Sequence, residues 1–301
     1  MTIQQPTMRQ VALPSLALRP RRGWALWQFA RRKPLGAAGG LIVLALVFSA
    51  LFASYVAPHN PLAVNAKAAL EPPGGAFLLG TDNLGRDVLS RVIFGARISL
   101  LVGLLSVALG IGLGSMLGLA SGYLGGLTDL VVQRGVDILI SFPTLVLALA
   151  IVAVLGPSIV NVTLAIGIVM VPTASRVVRG STLSVRENAY VEAASVVGCG
   201  HLRILGRHIL PNVTAPIIVV ATVNLGTAIL SEAALSFLGV GTPPPTPTWG
   251  GMLSGEGRQF MEAAPWMALY PGLAISAVVF GFNLLGDALR DVWDPRLRGS
   301  G

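Results

Sequence analysis

The chain has 301 residues, 53% of them hydrophobic and 11% charged, with a net charge of +8. A soluble globular domain carries about 25% charged residues, so this composition excludes that class. The single cysteine, Cys199, excludes an internal disulfide framework and a multi-cysteine metal site.

The apolar residues fall in long blocks, each near the roughly 20 residues that a helix needs to cross a hydrocarbon core about 30 Å thick. The expected class is an all-α polytopic membrane protein with six transmembrane helices. Residues 1–38 form a basic tail and lead-in with Arg19, Arg21, Arg22, Arg31, Arg32 and Lys33. The first predicted transmembrane helix covers 39–57; it and its basic lead-in are both longer than a cleaved signal peptide requires. An external loop rich in Pro, Gly and Asp follows over 58–97. It contains "GTDNLGRD" (80–87), a turn-rich stretch that lacks the G-x-x-x-x-G-K-[ST] spacing of a phosphate loop.

A core domain over 98–290 holds the other spans. The second is expected over 98–120 and carries Gly110, Gly114, Gly118 and Gly122, each four residues after the last. Such a smooth ridge lets another backbone approach closely, from within the chain or from a second membrane subunit. The third covers 130–155, with Arg134 and Asp137 spaced for a local ion pair near its start and Pro143 inside it. The fourth covers 158–175, the fifth 213–238 and the sixth 267–286, and 291–301 is a tail.

Six spans put both ends on one side. Of the 21 Lys and Arg residues, only Lys67, Arg86, Arg91, Arg97 and Arg258 fall on the other side. Positive residues crowd cytoplasmic loops, so both termini and the loop between spans four and five are expected in the cytoplasm. The basic balance then needs no nucleic acid. Asn224, Ser231 and Glu232 lie in span five, and Asn224 and Glu232, eight residues apart, share a helix face. They are the candidates for lining a translocation pathway; the alternative is an interhelical hydrogen bond.

The loop between spans four and five, about 184–212, is polar and helix-forming. "YVEAASVV" is dense in good helix formers, and Gly198 and Gly200 then break it. "HLRILGRHIL" resumes a helix in which Leu202, Leu205 and Ile209 are expected to make one stripe, and Pro211 marks its exit. The small side chains around Glu192 suit docking into a groove on another protein, and an amphipathic helix lying on lipid is the alternative.

Glu192-Ala193-Ala194, Gly198 and Leu210-Pro211 resemble the EAA loop of ABC importer permeases, although His208 stands where that pattern has an aliphatic residue. "RHILPN" (207–212) resembles the form found in peptide permeases. The stretches 79–100, 136–149 and 231–253 and the closing "WDPRLRG" (293–299) are similar to the C-type subunit of the dipeptide/oligopeptide/nickel permease subfamily. The resemblance covers about residues 35–299 and implies the type I ABC importer (MetI-like) permease fold.

It also implies the assembly: a homologous B-type permease subunit, two ATP-binding subunits that hold ATP and Mg, and a periplasmic or lipid-anchored substrate-binding protein. In that setting the chain is a non-catalytic subunit without a cofactor of its own, in the bacterial cytoplasmic (inner) membrane. Glu192, Ala193, Ala194, Gly198, Leu210 and Pro211 would couple it to the ATPase. The implied cargo is a di- or oligopeptide, with nickel chelates or glutathione as alternatives. An ion-gradient-driven secondary transporter is the distant rival, since it would call for paired carboxylates at mid-membrane.

Overall fold

A computed structural model describes Arg31 and residues 33–293. The rest of the basic tail and the closing stretch from residue 294, with most of "WDPRLRG", lie outside the described residues. The described residues form helices and connecting loops without a strand, and among them five helices are long and apolar enough to cross a membrane, or six if one bent pair counts as a span.

The main helices are α1 (Pro34–Leu51), α2 (Val88–Leu124), α3 (Gly126–Ile140), α4 (Thr144–Leu155), α5 (Ile159–Arg186), α6 (Ala189–Val196), α7 (Leu210–Phe237) and α8 (Trp266–Trp293). Helix α2 begins at Val88, inside the stretch read as loop, because Asp87 caps it by accepting the Ser90 N–H at 3.0 Å. Its 37 residues extend about 55 Å at 1.5 Å per residue, well beyond the hydrocarbon core.

The four-residue glycine ridge of α2 packs on α5 of the same chain. A Cβ on Gly114 would lie 2.5 Å from the Val171 carbonyl oxygen, one on Gly118 2.5 Å from that of Ser175, and one on Gly122 2.9 Å from that of Arg179. Gly110 faces the Gly167 carbonyl in the same way. The contacts advance by four residues on both helices, so α2 and α5 run parallel with their backbones nearly touching. This seam settles which of the two packings the ridge serves, because α5 already covers it.

Around the seam, Val102, Ile111, Val162, Ile166, Met170, Ala228 and Leu235 form one buried apolar cluster between α2, α5 and α7. Leu46, Ala96, Ile229, Trp249, Ile275 and Phe282 form a second, which fastens α1 and α8 to α2 and α7. There Gly39 of α1 sits against Gly281 of α8, a Cβ on Gly39 coming 2.6 Å from the Gly281 carbonyl oxygen.

The third predicted span is broken. Helices α3 and α4 meet at 89° across Ser141–Pro143. Pro143 has no N–H to give the helix, and it drives the residue before it out of the α region. At its other end α3 is joined to α2 through Gly125 and Gly126, at φ +66° and +55°, which only glycine adopts without strain.

The "GTDNLGRD" stretch forms a buried polar knot over the start of α2. The Asp82 carboxylate accepts from the Leu84 and Arg86 N–H groups, both at 2.9 Å, and from Arg86 Nε at 2.6 Å, with Arg91 Nε 3.5 Å away. Trp266 Nε1 donates to the Thr81 carbonyl at 3.0 Å and Trp249 Nε1 to that of Val92 at 2.9 Å. These bonds pin α8 and the short helix Trp249–Leu253 to the loop and to α2.

Candidate coupling site

The segment from Glu187 to Asn212 is an elbow folded on the ends of α2 and α5. Arg186, the last residue of α5, donates through Nη1 to the carbonyls of Gly122 (3.3 Å) and Tyr123 (3.0 Å) near the end of α2. A cation there meets orphan carbonyls and the negative end of the helix dipole. Two residues later Asn188 starts α6, with its Nδ2 donating back to the Val185 carbonyl at 2.9 Å.

One side of α6 is buried. Val191 and Ala194 pack against Ile204, Ile209 and Val213, with Leu119, Tyr123 and Val185 around them. The opposite side is open: Glu192 and Ala193 are exposed, and Val196, Val197 and Leu202 are 81%, 77% and 86% exposed. Of the three residues of the EAA run, Ala194 anchors the helix while Glu192 and Ala193 face outward.

Gly198 ends α6 at φ +80°. Its N–H donates to the Ser195 carbonyl and that of Cys199 to the Ala194 carbonyl, both at 3.0 Å. That pair of bonds around a left-handed glycine satisfies carbonyls the helix end leaves free. Around the position of a Cβ on Gly198 nothing lies within 4 Å, so within this chain its constraint is the backbone angle and not bulk.

The second half of the elbow differs from the expected stripe. After one turn (His201–Arg203) the chain forms a π-helix, Ile204–Ile209, and the Leu210 N–H bonds the Leu205 carbonyl five residues back. The wider turn aligns residues five apart. Ile204 and Ile209 are therefore the buried pair, while Leu202 points away and Leu205 is half-buried. Pro211 is not an exit: it follows the π-helix directly and sits in the first turn of α7, and Leu210 and Pro211 are exposed. The elbow is thus continuous with α7. Tyr123 Oη lies 2.9 Å from His201 Nδ1, tying it to α2, and a cleft of about 500 Å³ lined by Tyr123, Arg186, Glu187, Glu192 and His201 opens beside it.

The pathway candidates separate. Glu232 is fully buried and accepts from Ser236 Oγ at 2.8 Å and from Ser99 Oγ of α2 at 3.2 Å. It therefore lines no open cavity in this conformation and makes the interhelical bond that was the alternative. Asn224 is half-buried and donates to the Val220 carbonyl at 2.8 Å, and Ser231 is half-buried.

Local spacing alone did not reveal the ion pairs between α3 and α5. Asp137 is 3.9 Å from its expected partner Arg134 but 2.8 Å from Arg176, and Asp129 takes two bonds from Arg179, at 2.6 and 2.5 Å. The available signal was the presence of arginines at 176 and 179 in a helix otherwise so apolar.

Comparison with known proteins gives two family matches. Residues 110–299 match the binding-protein-dependent transport system inner membrane component family. Residues 24–73 match the N-terminal transmembrane domain of oligopeptide transport permease C. The dipeptide transport system permease protein DppC of Haemophilus influenzae is 46% identical over 270 residues, covering 87% of this chain and 91% of that protein. DppC of Alkalihalophilus pseudofirmus is 44% identical over 268 residues, 89% of this chain and 88% of the relative. The glutathione transport system permease protein GsiD of Pectobacterium atrosepticum is 42% identical over 273 residues, 90% of each chain.

Proposed function

The chain belongs to the binding-protein-dependent transport system inner membrane component family and is an integral membrane transport permease, and from that premise we propose that it is half of the translocation pathway of an ATP-driven importer of di- or oligopeptides. Its cytoplasmic elbow is the contact with the ATPase. The observation that carries this reading is the outward side of the elbow, where Glu192 and Val196 of α6 and Val197 and Leu202 after it are all exposed. An elbow that leaves three large aliphatic side chains exposed suits burial in a partner's groove.

In this reading a homologous B-type permease completes the pathway, two ATP-binding subunits hold ATP and Mg, and a substrate-binding protein delivers cargo from outside. This subunit itself is non-catalytic. Both termini lie in the cytoplasm of a bacterial inner membrane, as the Lys and Arg distribution favours. Closure of the ATPase pair pushes α6, and α5 and α7, which α6 joins, reorient the cavity outward; hydrolysis resets it inward. Such a switch needs contacts that differ between the two states. Asn224 and Ser231 of α7 are the remaining pathway candidates in this chain.

The cargo assignment follows the dipeptide relatives, with glutathione, a peptide-like molecule, as the second reading that the GsiD relative favours. The assembled transporter in proteoliposomes tests it with labelled dipeptide and labelled glutathione. Accumulation of dipeptide that requires ATP and persists at zero membrane potential supports the reading. Accumulation that follows an ion gradient without ATP contradicts it.

A further inference from the structure

Helix α3 is built as an arm. It is joined to α2 by two left-handed glycines, Gly125 and Gly126, and to α4 by the 89° break at Ser141–Pro143. Of its 15 residues only Val136 is buried, so apolar packing does little to set its position. Leu127, Leu130, Val131 and Ile138 are all more than half exposed. What attaches α3 to the core is polar. Asp129 meets Arg179 through two parallel bonds, at 2.6 and 2.5 Å, and Asp137 meets Arg176 at 2.8 Å. Ser121 of α2 donates to Asp129 and accepts from Gln133 Nε2 at 2.9 Å.

Arg179 is itself held. Its backbone lies on the glycine ridge, where a Cβ on Gly118 would come 2.9 Å from its nitrogen and one on Gly122 2.9 Å from its oxygen. From Arg179 the helix runs two further turns to Arg186, and α6 begins after two linking residues. The guanidinium therefore moves with α5 and with the elbow. A planar fork on a carboxylate fixes orientation as well as distance, which a single hydrogen bond between α3 and α5 would not.

We propose that Asp129 and Arg179, backed by Asp137 and Arg176, are a positioning pair that makes the α3–α4 bend follow α5. Displacement of the elbow then reaches α3 through side-chain charge, while α4, on the other side of the bend, follows α5 through the apolar packing of Ala148 and Val152. This rests on the reading of α6 as the ATPase contact. That reading is tested separately by crosslinking at Val197 (Discussion), so failure of one is distinguishable from failure of the other.

The test uses the assembled transporter in proteoliposomes, with Cys199→Ser as background and spin labels at Val131→Cys on α3 and Val177→Cys on α5. Without nucleotide and with ATP trapped by vanadate, the label distance should stay the same, the two helices moving as one body. Asp129→Asn should broaden that distance. It should also lower cargo moved per ATP hydrolysed by about 5-fold or more, the range of a typical coupling energy. The swap Asp129→Arg with Arg179→Asp should restore both. If Asp129→Asn does not assemble, Arg176→Gln, which breaks the exposed pair, carries the same readouts. A variant that lowers only yield or melting temperature, with the distance and the cargo-to-ATP ratio unchanged, would overturn the proposal.

Discussion

Gly118 of α2 lies so close to Ser175 of α5 that a Cβ on it would stand 2.5 Å from the Ser175 carbonyl oxygen. That oxygen belongs to a helix backbone, so no rotamer change relieves the clash. Gly118→Leu should force the two helices apart and cost about 1–3 kcal/mol or more, as overpacking does. Gly112→Leu is the control, since nothing lies within 4 Å of its Cβ position. Thermal unfolding of the detergent-solubilised chain should show a clear drop for the first and little change for the second.

Gly198 should be sensitive for a different reason. At φ +80° any side chain pays for the left-handed conformation, roughly 1–2 kcal/mol. Gly198→Ala should therefore loosen the bond from the Cys199 N–H to the Ala194 carbonyl, and the residue 199 amide should exchange about 5- to 30-fold faster. Gly198→Asn, which tolerates that angle better, should fall between. Equal exchange in all three would refute the strain argument.

In the knot at the start of α2, Asp82 is buried with Arg86 and Arg91, and its carboxylate serves three donors within 2.9 Å. Asp82→Ala removes the shared acceptor and leaves buried guanidinium charge less compensated, a change that costs about 3–5 kcal/mol when one member of a buried pair is lost. Limited proteolysis should then cut the 58–87 region faster than in the wild type. An unchanged rate would mean that the loop is held by its other contacts alone.

Much of this architecture could be read from the residues, and the exceptions share a cause. The ridge at Gly110, Gly114, Gly118 and Gly122 announced a close helix contact by its spacing, but spacing does not name the partner, which proved to be α5. Pro143 announced a break without its 89° angle. The stripe through Leu202, Leu205 and Ile209 failed because a π-helix changes the period, and no residue type marks one. Local spacing gave the Arg134–Asp137 pair, which forms at 3.9 Å, but not Arg176, 39 residues away, which lies nearer to Asp137. Glu232 and Asn224 share a helix face, yet Ser99 on α2 claims Glu232. Contacts between elements are set by how helices are brought together, and local periodicity carries little of that. In the elbow, the helix break was legible in Gly198, whereas the exposure of Val196 and Val197 was not.

Glu192 is exposed on α6, so Glu192→Arg should leave the fold of this chain intact while reversing the charge presented to the ATPase. Co-purification of the ATPase subunits should weaken at least about tenfold, or 1.4 kcal/mol. Unchanged melting of the isolated chain would confirm that the loss lies at the interface. Full recovery of the ATPase with the variant would count against Glu192 as a contact.

The most direct test places a single thiol at the exposed corner. With Cys199→Ser removing the only native cysteine, Val197→Cys is treated with a short bifunctional thiol crosslinker in the assembled transporter. Docking of α6 on the ATPase should give a crosslink to an ATPase subunit, together with protection of that thiol from a water-soluble maleimide. A thiol that the maleimide labels freely in the full assembly, with no crosslink to the ATPase, would contradict it.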